Sequence, residues 1–531
     1  MLNENQRQVV ESNKNRIVCL AGPGSGKSHT LIERIVHLVD NGVSPTSIMA
    51  LTFTHAAANK MLERFTKRVP ELQVPPVFAT FHSFCYRLLR DQEILNHFGY
   101  TEIPKILSED EEQSLQSIVL NKCGIKVTIS KLLNDNSLKL KFQRDLYLKT
   151  YRKELIKSNC ITYDLLCSEI CNLFIKGNSI IQKYKEQYQY IFVDEFQDSS
   201  VEQFEFVNSF VDSNIMVVGD PLQNLYSFRG TSSKLIKDLA ENPNWTTYRL
   251  DYNYRSTKPI CDYANDFSAS YANNSYRLII KSDKSGPEVL SVFGFKDDEL
   301  GYTVGRATME TFIRNHKGTT AILARTNREV DQICGMLSAS GFDYYTNDKL
   351  NTAQNLSLIK SVFDETYMYS WLPTRLTRDN YMNYLRCAYG FADDRKVLLK
   401  ILAEDRNAGN ITRTIIKFKR YVSELDTDTA YHGILHDLGY KVNTETILNI
   451  DERSLQDRLL GVISNYRRES SIYVGTIHSS KGLEYDNVVV YGVDTKPFKL
   501  DNEDNNNLFY VAITRAKTDL LVLRQQNGER L

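Results

Sequence analysis

A glycine-rich segment near the start of the chain has the residue types that bind nucleotide phosphates. Glycines allow backbone N–H groups to point at phosphate oxygens, and a helix starting behind them adds the positive end of its dipole. The Lys27 ammonium would reach the β- and γ-phosphates, and the Ser28 hydroxyl would bind Mg²⁺. By itself the pattern specifies a nucleoside triphosphate and no particular reaction. We predict that the nucleotide contacts Ala21, Gly22, Pro23, Gly24, Ser25, Gly26, Lys27, Ser28 and His29.

Two adjacent acids further along the chain would complete this site. Asp194 and Glu195 directly follow the apolar run 190–193, which has the character of a buried strand. Side chains at the carboxyl ends of parallel strands face the ligand crevice of an open α/β sheet. We therefore predict that Asp194 binds Mg²⁺ and that Glu195 accepts a proton from the water that attacks the γ-phosphate.

The segments around these residues predict parallel sheets covered by helices. A strand at 17–20 precedes the phosphate loop, and apolar residues with helical spacing follow it over 31–39. Helix-length segments separate several further apolar runs, which is the pattern of an α/β fold. Those runs lie at 48–52, 190–193, 215–218, 321–323, 487–491 and 519–523.

Composition excludes some classes of protein. The 65 Lys and Arg residues balance 65 Asp and Glu residues among 531, so nucleic acid is not bound through bulk positive charge, and any contact must be local. No apolar run reaches the roughly 18–20 residues that cross a bilayer, and the polar start has no signal-peptide core. We therefore expect no membrane partner and an intracellular, cytoplasmic location, associated with the nucleoid if the source is a prokaryote or a phage.

The nine cysteines are scattered, which fits reduced thiols in a reducing compartment. The densest group is Cys160, Cys167 and Cys171, whose spacing predicts three thiols on one helix face. We interpret them as small buried apolar side chains. The alternative, a metal or iron–sulfur site, lacks a close fourth ligand at the usual spacing.

Two helix-rich stretches, at about 86–160 and about 350–465, interrupt the alternation of strands and helices. The first begins acidic and then turns basic, with eight Lys and Arg against three acids over residues 131–157. Such charge runs predict either solvated helix faces or contacts with nucleic acid, and the sequence leaves both interpretations open.

Further motifs follow one another in a fixed order along the chain. With the phosphate loop and the two acids, they make the chain resemble the superfamily 1 helicases of the UvrD/Rep/PcrA type from end to end. The chain departs from the family pattern in three places. His55 replaces a typical asparagine, and Phe228 replaces a typical tryptophan. Over 504–507 the family commonly has paired acids and arginines, which this chain lacks. The motifs lie at 2–6, 50–55, 79–84, 218–230, 251–257, 476–485 and 510–516.

The resemblance implies an α/β fold of two RecA-like, parallel-sheet P-loop motor domains with two helical insertions, the second reduced. ATP would bind between the two domains, each supplying half of the site. The predicted boundaries are 1–85 with 161–250 for the first motor domain, 86–160 for its insertion, 251–349 with 466–531 for the second motor domain, and 350–465 for the reduced insertion.

The resemblance also implies roles at the ATP site. The first domain would supply Lys27, Ser28, Asp194, Glu195 and Gln223. The second would supply Arg255 and Arg515 to grip the γ-phosphate, and an arginine in this role is worth about 10³–10⁵ in rate in related enzymes. Gln6 would bind the adenine edge, Tyr254 would stack on the adenine, and Glu484 would hold the ribose.

On the nucleic-acid side, the resemblance implies a single strand held by base stacking and backbone contacts. Phe53, Tyr226 and Phe228 would stack on bases. The predicted phosphate or sugar contacts are Thr54, Thr80, His82 and His478. The expected partner is single-stranded DNA, RNA is not excluded, and a protein partner could bind through 350–465.

These expectations add up to an ATP-dependent translocase or helicase on single-stranded DNA, with 3′→5′ polarity, in repair, replication or recombination. The alternative is a DNA-gated ATPase subunit of a defence or repair complex with little unwinding of its own, which the reduced second insertion favours. A nucleic-acid-binding scaffold with a dead site is disfavoured because Lys27, Asp194 and Glu195 are present. A P-loop kinase or GTPase would lack Arg255 and Arg515 in these motifs.

Overall fold

The computed structural model describes residues 2–134, 137–225, 233–273, 275–295, 299–346 and 471–525. Its described residues fall into two compact units. The first unit comprises the chain up to Tyr254 together with Ser268–Lys281, and the second comprises Arg255–Phe267 together with the described residues from Ser282 onward. The predicted second insertion, 350–465, lies outside the described residues, so its extent stays a prediction.

A six-stranded parallel sheet forms the centre of the first unit, in the order β3-β2-β6-β7-β1-β8. Four of the seven apolar runs identified in the sequence form its strands β1, β2, β6 and β7. The strands are β1 (Arg16–Ala21), β2 (Ile48–Thr52), β3 (Val77–Thr80), β6 (Tyr190–Val193), β7 (Asn214–Gly219) and β8 (Thr246–Leu250).

Helices cover both faces of this sheet. Successive side chains of β1 point to opposite faces, so Val18 and Leu20 enter one apolar core while Ile17 and Cys19 enter the other. The helices are α1 (Glu4–Val10), α2 (Lys27–Asp40), α3 (His55–Arg68), α4 (Phe81–Leu88), α9 (Tyr163–Ile175), α10 (Gln182–Gln187), α11 (Val201–Asn208) and α12 (Ser233–Glu241).

The described part of the predicted helical insertion forms four helices and one short strand pair within the first unit. A small core of Val119, Leu132, Tyr147 and Leu155 holds α6, α7 and α8 together, whereas Ile94 and Leu95 of α5 pack into a core of the main sheet. The elements are β4 (Lys105–Ile106), β5 (Cys160–Ile161), α5 (Gln92–His97), α6 (Glu109–Lys122), α7 (Ile129–Asn134) and α8 (Leu138–Lys157).

The prediction that Cys160, Cys167 and Cys171 share a helix face is wrong for Cys160, which lies in β5. Helix α9 begins after it because the Thr162 side chain accepts a hydrogen bond from the Leu165 N–H and caps the helix. Cys167 and Cys171 do lie one turn apart on α9.

The second unit contains another six-stranded parallel sheet, in the order β11-β12-β10-β13-β14-β9. Two parallel sheets confirm the predicted α/β fold class. The strands are β9 (Leu290–Phe295), β10 (Thr320–Ala324), β11 (Tyr345–Thr346), β12 (Ile472–Thr476), β13 (Tyr485–Val493) and β14 (Ala516–Gln525). The described helices are α13 (Lys258–Ala269), α14 (Glu299–Asn315), α15 (Asn327–Ala339) and α16 (Glu503–Ile513).

None of the helices in the described ranges has both the length and the apolar character that crossing a bilayer requires.

Candidate nucleotide and strand sites

The phosphate loop connects β1 to α2 in the first unit. Strand β1 ends at Ala21, and α2 begins at Lys27 directly after Gly26. The Ser25 hydroxyl donates to the Gly22 carbonyl at 2.7 Å, which closes the turn, and the Lys27 ammonium lies 3.3 Å from the Ala21 carbonyl. The loop therefore has the strand–turn–helix context that phosphate binding requires.

Gly26 has a left-handed backbone, with φ of +80°, and lies against Gln6. A Cβ atom at this position would lie 2.9 Å from Gln6 Nε2. Glycine is favoured here because other residues avoid this φ, and a Cβ atom would also force the Gln6 amide to move.

We predict that Gly26→Ala weakens ATP binding roughly tenfold, because the loop must leave a conformation that costs a non-glycine residue about 1–2 kcal/mol. Gly42→Ala is the matched control, since Gly42 has φ of +87° and open space around it. Both variants should lose similar stability in thermal unfolding, whereas only Gly26→Ala should raise the dissociation constant for ATP in a binding titration. Equal ATP affinity in the two variants would contradict this account of the loop.

The two predicted Mg²⁺ ligands lie together. The Ser28 hydroxyl donates to Asp194 Oδ2 at 2.8 Å, and the Asp194 backbone N–H donates to the Leu51 carbonyl at 2.9 Å. Burial, together with the charge of Glu195, raises the pKa of Asp194 to about 6. A hydroxyl and a poorly solvated carboxylate are oxygen ligands of the kind that Mg²⁺ prefers, so the residues present fit this ion.

Glu195 lies beside this pair in an uncommon backbone conformation. Its φ is +52°, and its N–H donates to Asp194 Oδ1 at 3.0 Å. The Gln197 amide donates to Glu195 Oε2 at 2.7 Å. Because non-glycine residues rarely adopt this φ, the surrounding structure must hold Glu195 in place.

Gln223, the other predicted catalytic residue of the first unit, lies in the short turn Pro221–Gln223. Its amide donates to Asp220 Oδ2 at 2.8 Å, and the Asp220 backbone N–H donates to Gln197 Oε1 at 3.1 Å. Hydrogen bonds through Gln197 and Asp220 thus join Glu195 to Gln223.

Both predicted adenine contacts in the first unit lie at the phosphate loop. The Gln6 amide donates to the Ser25 carbonyl at 3.0 Å, and the Tyr254 backbone N–H donates to the Gly24 carbonyl at 2.9 Å. Gln6 is buried, whereas Tyr254 is exposed. His29 lies on α2, where its imidazole faces Glu33 at 3.9 Å.

The predicted residues of the second unit also lie together. Arg255 Nε donates to Glu484 Oε2 at 2.8 Å, and Arg255 Nη1 donates to the Thr514 carbonyl at 3.1 Å. Burial by itself would raise the pKa of Glu484. The charge of Arg255 outweighs that effect, so the pKa of Glu484 is lowered. The carboxylate that was predicted to hold the ribose is therefore paired with the arginine that was predicted to grip phosphate.

Arg515 follows Thr514 and is buried. Its Nε donates to the Val511 carbonyl at 3.1 Å, and its Nη1 donates to the Leu483 carbonyl at 3.3 Å. Backbone carbonyls next to Glu484 and within α16 thus orient this guanidinium. Arg255 and Arg515 both donate hydrogen bonds to the same segment, 483–484.

Three predicted strand contacts lie near the carboxyl ends of the neighbouring strands β2 and β3. Phe53 follows β2 and is half-buried, and the exposed Thr54 accepts from the Ala57 N–H and caps α3. Thr80 ends β3, where its buried side chain caps α4 by accepting from the Ser83 N–H. Adjacent parallel strands place these residues on one sheet edge.

Two further predicted strand contacts are histidines. His82 lies on α4 with Nε2 3.7 Å from Asp164 Oδ1, and this neighbouring carboxylate raises the pKa of His82. His478 lies in the second unit, in the turn after β12. Tyr226 and Phe228 lie outside the described residues, so their roles stay predictions.

Comparison with known protein families extends over almost the whole chain. The UvrD/REP helicase N-terminal domain matches residues 2–244, and the UvrD-like helicase C-terminal domain matches residues 248–353 and 383–527. The chain belongs to the UvrD/REP helicase family. This membership confirms the predicted resemblance, the two RecA-like domains and the enzyme class, an ATP-hydrolysing helicase.

Several curated bacterial relatives of this helicase align along nearly their full length. A probable DNA helicase II homolog of Rickettsia felis is 27% identical, with 99% of this chain and 92% of the relative aligned. The ATP-dependent DNA helicase PcrA of Staphylococcus aureus is 24% identical, with 98% of this chain and 83% of the relative aligned. Similarity over this length supports a shared fold and class.

Sequence reasoning assigned no role in this helicase to Gln197 or Asp220, although both lie in motifs that it used. Both side chains are buried, and burial raises the pKa of Asp220. They join the loop after β6 to the loop after β7. The sequence offered a signal for Asp220 alone, which is a polar residue directly after the apolar strand β7.

Proposed function

We propose that this chain is an ATP-dependent translocase on single-stranded DNA that moves 3′→5′ and can separate duplexes. The observation that carries the proposal is the 2.8 Å hydrogen bond between Ser28 and Asp194 at the end of the phosphate loop, with Glu195 directly beside it. The relatives named as DNA helicases support DNA as the track.

In the proposed reaction, the loop N–H groups and Lys27 bind the triphosphate of ATP. Glu195, oriented by Gln197, accepts the proton of the attacking water. Mg²⁺ held by Ser28 and Asp194 would neutralise phosphate charge. Lys27 then stabilises the charge that develops as the γ-phosphoryl group leaves.

We further propose that Arg255 and Arg515 stabilise this charge. Two observations support this role. Both guanidinium groups contact segment 483–484, and backbone carbonyls orient both of them. Charge-assisted bonds to phosphate are stronger than neutral ones, and a planar guanidinium can make two at once. Replacing either arginine should therefore lower kcat for ATP more than it raises KM.

The proposed polarity is tested by streptavidin displacement from biotinylated single strands. A 3′→5′ motor with bound ATP should displace streptavidin from the 5′ end, while Lys27→Ala should displace it from neither end. Displacement from the 3′ end alone would reverse the polarity. Wild-type protein that hydrolyses ATP on DNA but displaces streptavidin from neither end would refute translocation.

A DNA-gated ATPase subunit with little unwinding of its own is the second candidate. One observation favours it: the alignment with the Rickettsia felis relative runs over 612 positions, more than the 531 residues of this chain, so that relative contains segments absent here. This candidate predicts DNA-stimulated hydrolysis without separation of a 3′-tailed duplex, and therefore a negative result in a strand-separation assay.

We predict that Phe228→Ala lowers DNA-stimulated ATPase activity while basal activity stays near the wild-type rate. The reason is that stacking on an aromatic ring contributes about 1–3 kcal/mol per base. Phe293→Ala is the control, because Phe293 is 59% exposed on β9 and outside the family motifs. Equal loss of basal and stimulated rates in Phe228→Ala would identify Phe228 as a core residue.

A further inference from the structure

Three cysteine thiols meet inside the first unit where α4 packs against α9. The three side chains, Cys85, Cys167 and Cys171, are 1%, 6% and 1% exposed. Their sulfur atoms all lie within 4.8 Å of one another, and the Cys85 and Cys167 sulfurs are 3.8 Å apart. They form the only cluster of three or more close metal-ligand side chains in the described ranges.

Two helices with fixed starting points create this arrangement. Cys167 and Cys171 lie one turn apart and so project from one face of α9, while Cys85 projects from α4. Side-chain caps define both helices, Thr80 for α4 and Thr162 for α9. Because two of the sulfurs come from one helix and the third from another, the packing of α4 against α9 brings the three sulfurs together.

The distances suit a metal ion. A tetrahedral zinc ion with Zn–S bonds of about 2.3 Å separates its sulfur ligands by about 3.8 Å, which matches the Cys85–Cys167 separation. Soft thiolates select soft or borderline cations, of which Zn²⁺ and Cu⁺ are the common biological examples. The three sulfurs would supply three of the four ligands of a tetrahedral ion.

The opposing interpretation is that the thiols are small apolar side chains filling the core. Buried free cysteines often do so, and apolar neighbours including Phe84, Leu166 and Ile170 surround these three. Packing alone, however, needs no convergence of three sulfurs and gives no stoichiometric metal. The two interpretations therefore differ in a measurable property.

We propose that Cys85, Cys167 and Cys171 bind one thiophilic metal ion of the Zn²⁺/Cu⁺ class. The ion ties α4 to α9. Because α4 begins after Thr80 and includes His82, the ion also fixes the position of two residues predicted to contact the nucleic-acid strand. This site is separate from the ATP chemistry and does not depend on the proposed function.

The first test is elemental analysis of the untagged full chain, purified without chelators. We expect about one zinc or copper ion per chain in the wild type and in the Cys160→Ala control, and close to none in Cys167→Ala. Cys160 is a matched control because its half-buried thiol lies just before α9 and outside the cluster. Equal metal content in wild type and Cys167→Ala would overturn the proposal.

A second test uses only the wild-type chain, so it remains valid if Cys167→Ala fails to fold. Metal-free protein is titrated with Co²⁺, and a thiolate-to-cobalt charge-transfer absorption that saturates at one equivalent is expected. Added Zn²⁺ should abolish this absorption. A chain that is purified without metal and gives no such absorption contains only packed thiols, and the proposal is then wrong.

Discussion

Lys27→Ala is expected to abolish ATP hydrolysis with and without DNA. The Lys27 ammonium lies at the start of α2 within the phosphate loop, 3.3 Å from the Ala21 carbonyl. Alanine removes the positive charge that would face the β- and γ-phosphates. Loss of one preorganised donor to developing charge typically lowers kcat by about 10²–10³, and here the donor also contributes to binding.

The measurement for Lys27→Ala is steady-state phosphate release at saturating ATP. Lys14→Ala serves as the control, because Lys14 is exposed in the same unit and outside the family motifs. Circular dichroism should show that both variants are folded. Hydrolysis at the wild-type rate by folded Lys27→Ala would refute the assignment of the phosphate loop.

Glu195→Gln is expected to retain ATP binding and lose rapid hydrolysis. Glutamine has nearly the same shape as glutamate, and its carbonyl oxygen can still accept the Gln197 amide hydrogen bond at 2.7 Å. It cannot take a proton from water at neutral pH, and positioned general bases contribute about 10²–10⁴ in rate. This variant should therefore bind ATP normally but hydrolyse it slowly.

The measurement for Glu195→Gln is single-turnover hydrolysis of radiolabelled ATP together with filter binding. We expect the dissociation constant to stay near the wild-type value while the chemical step slows at least a hundredfold. Glu205→Gln on the exposed face of α11 is the control and should behave as wild type. Rapid turnover by Glu195→Gln would assign the base to another residue.

Apolar runs in the sequence predicted the centres of both sheets. The runs at 17–20, 48–52, 190–193 and 215–218 correspond to β1, β2, β6 and β7, because parallel strands buried on both faces are almost entirely apolar. Strand β8 was missed because Thr246–Leu250 lies at the sheet edge and is only partly buried. Strand β3 was missed because Val77–Thr80 lies at the opposite sheet edge and is likewise only partly buried.

The sequence predicted those site residues that lie in recognisable motifs, but not the contacts that depend on how the strands and helices pack. Ser28 and Asp194 are 166 positions apart, and only the expected strand–loop context linked them before the 2.8 Å hydrogen bond was seen. The role of Gln197 was not predictable, because it depends on β6 and β7 lying side by side and on complete burial of the amide. Similarly, nothing in the spacing of Cys85 indicated that α4 would bring it to Cys167.

The central claim, that single-stranded nucleic acid controls ATP hydrolysis by this chain, is tested most directly by one ATPase titration. Wild-type protein is assayed with increasing single-stranded DNA and, in parallel, with RNA of the same sequence. The account predicts a rate that rises with DNA and saturates, with a smaller response to RNA and none in Lys27→Ala. A wild-type rate that DNA leaves unchanged would contradict the account.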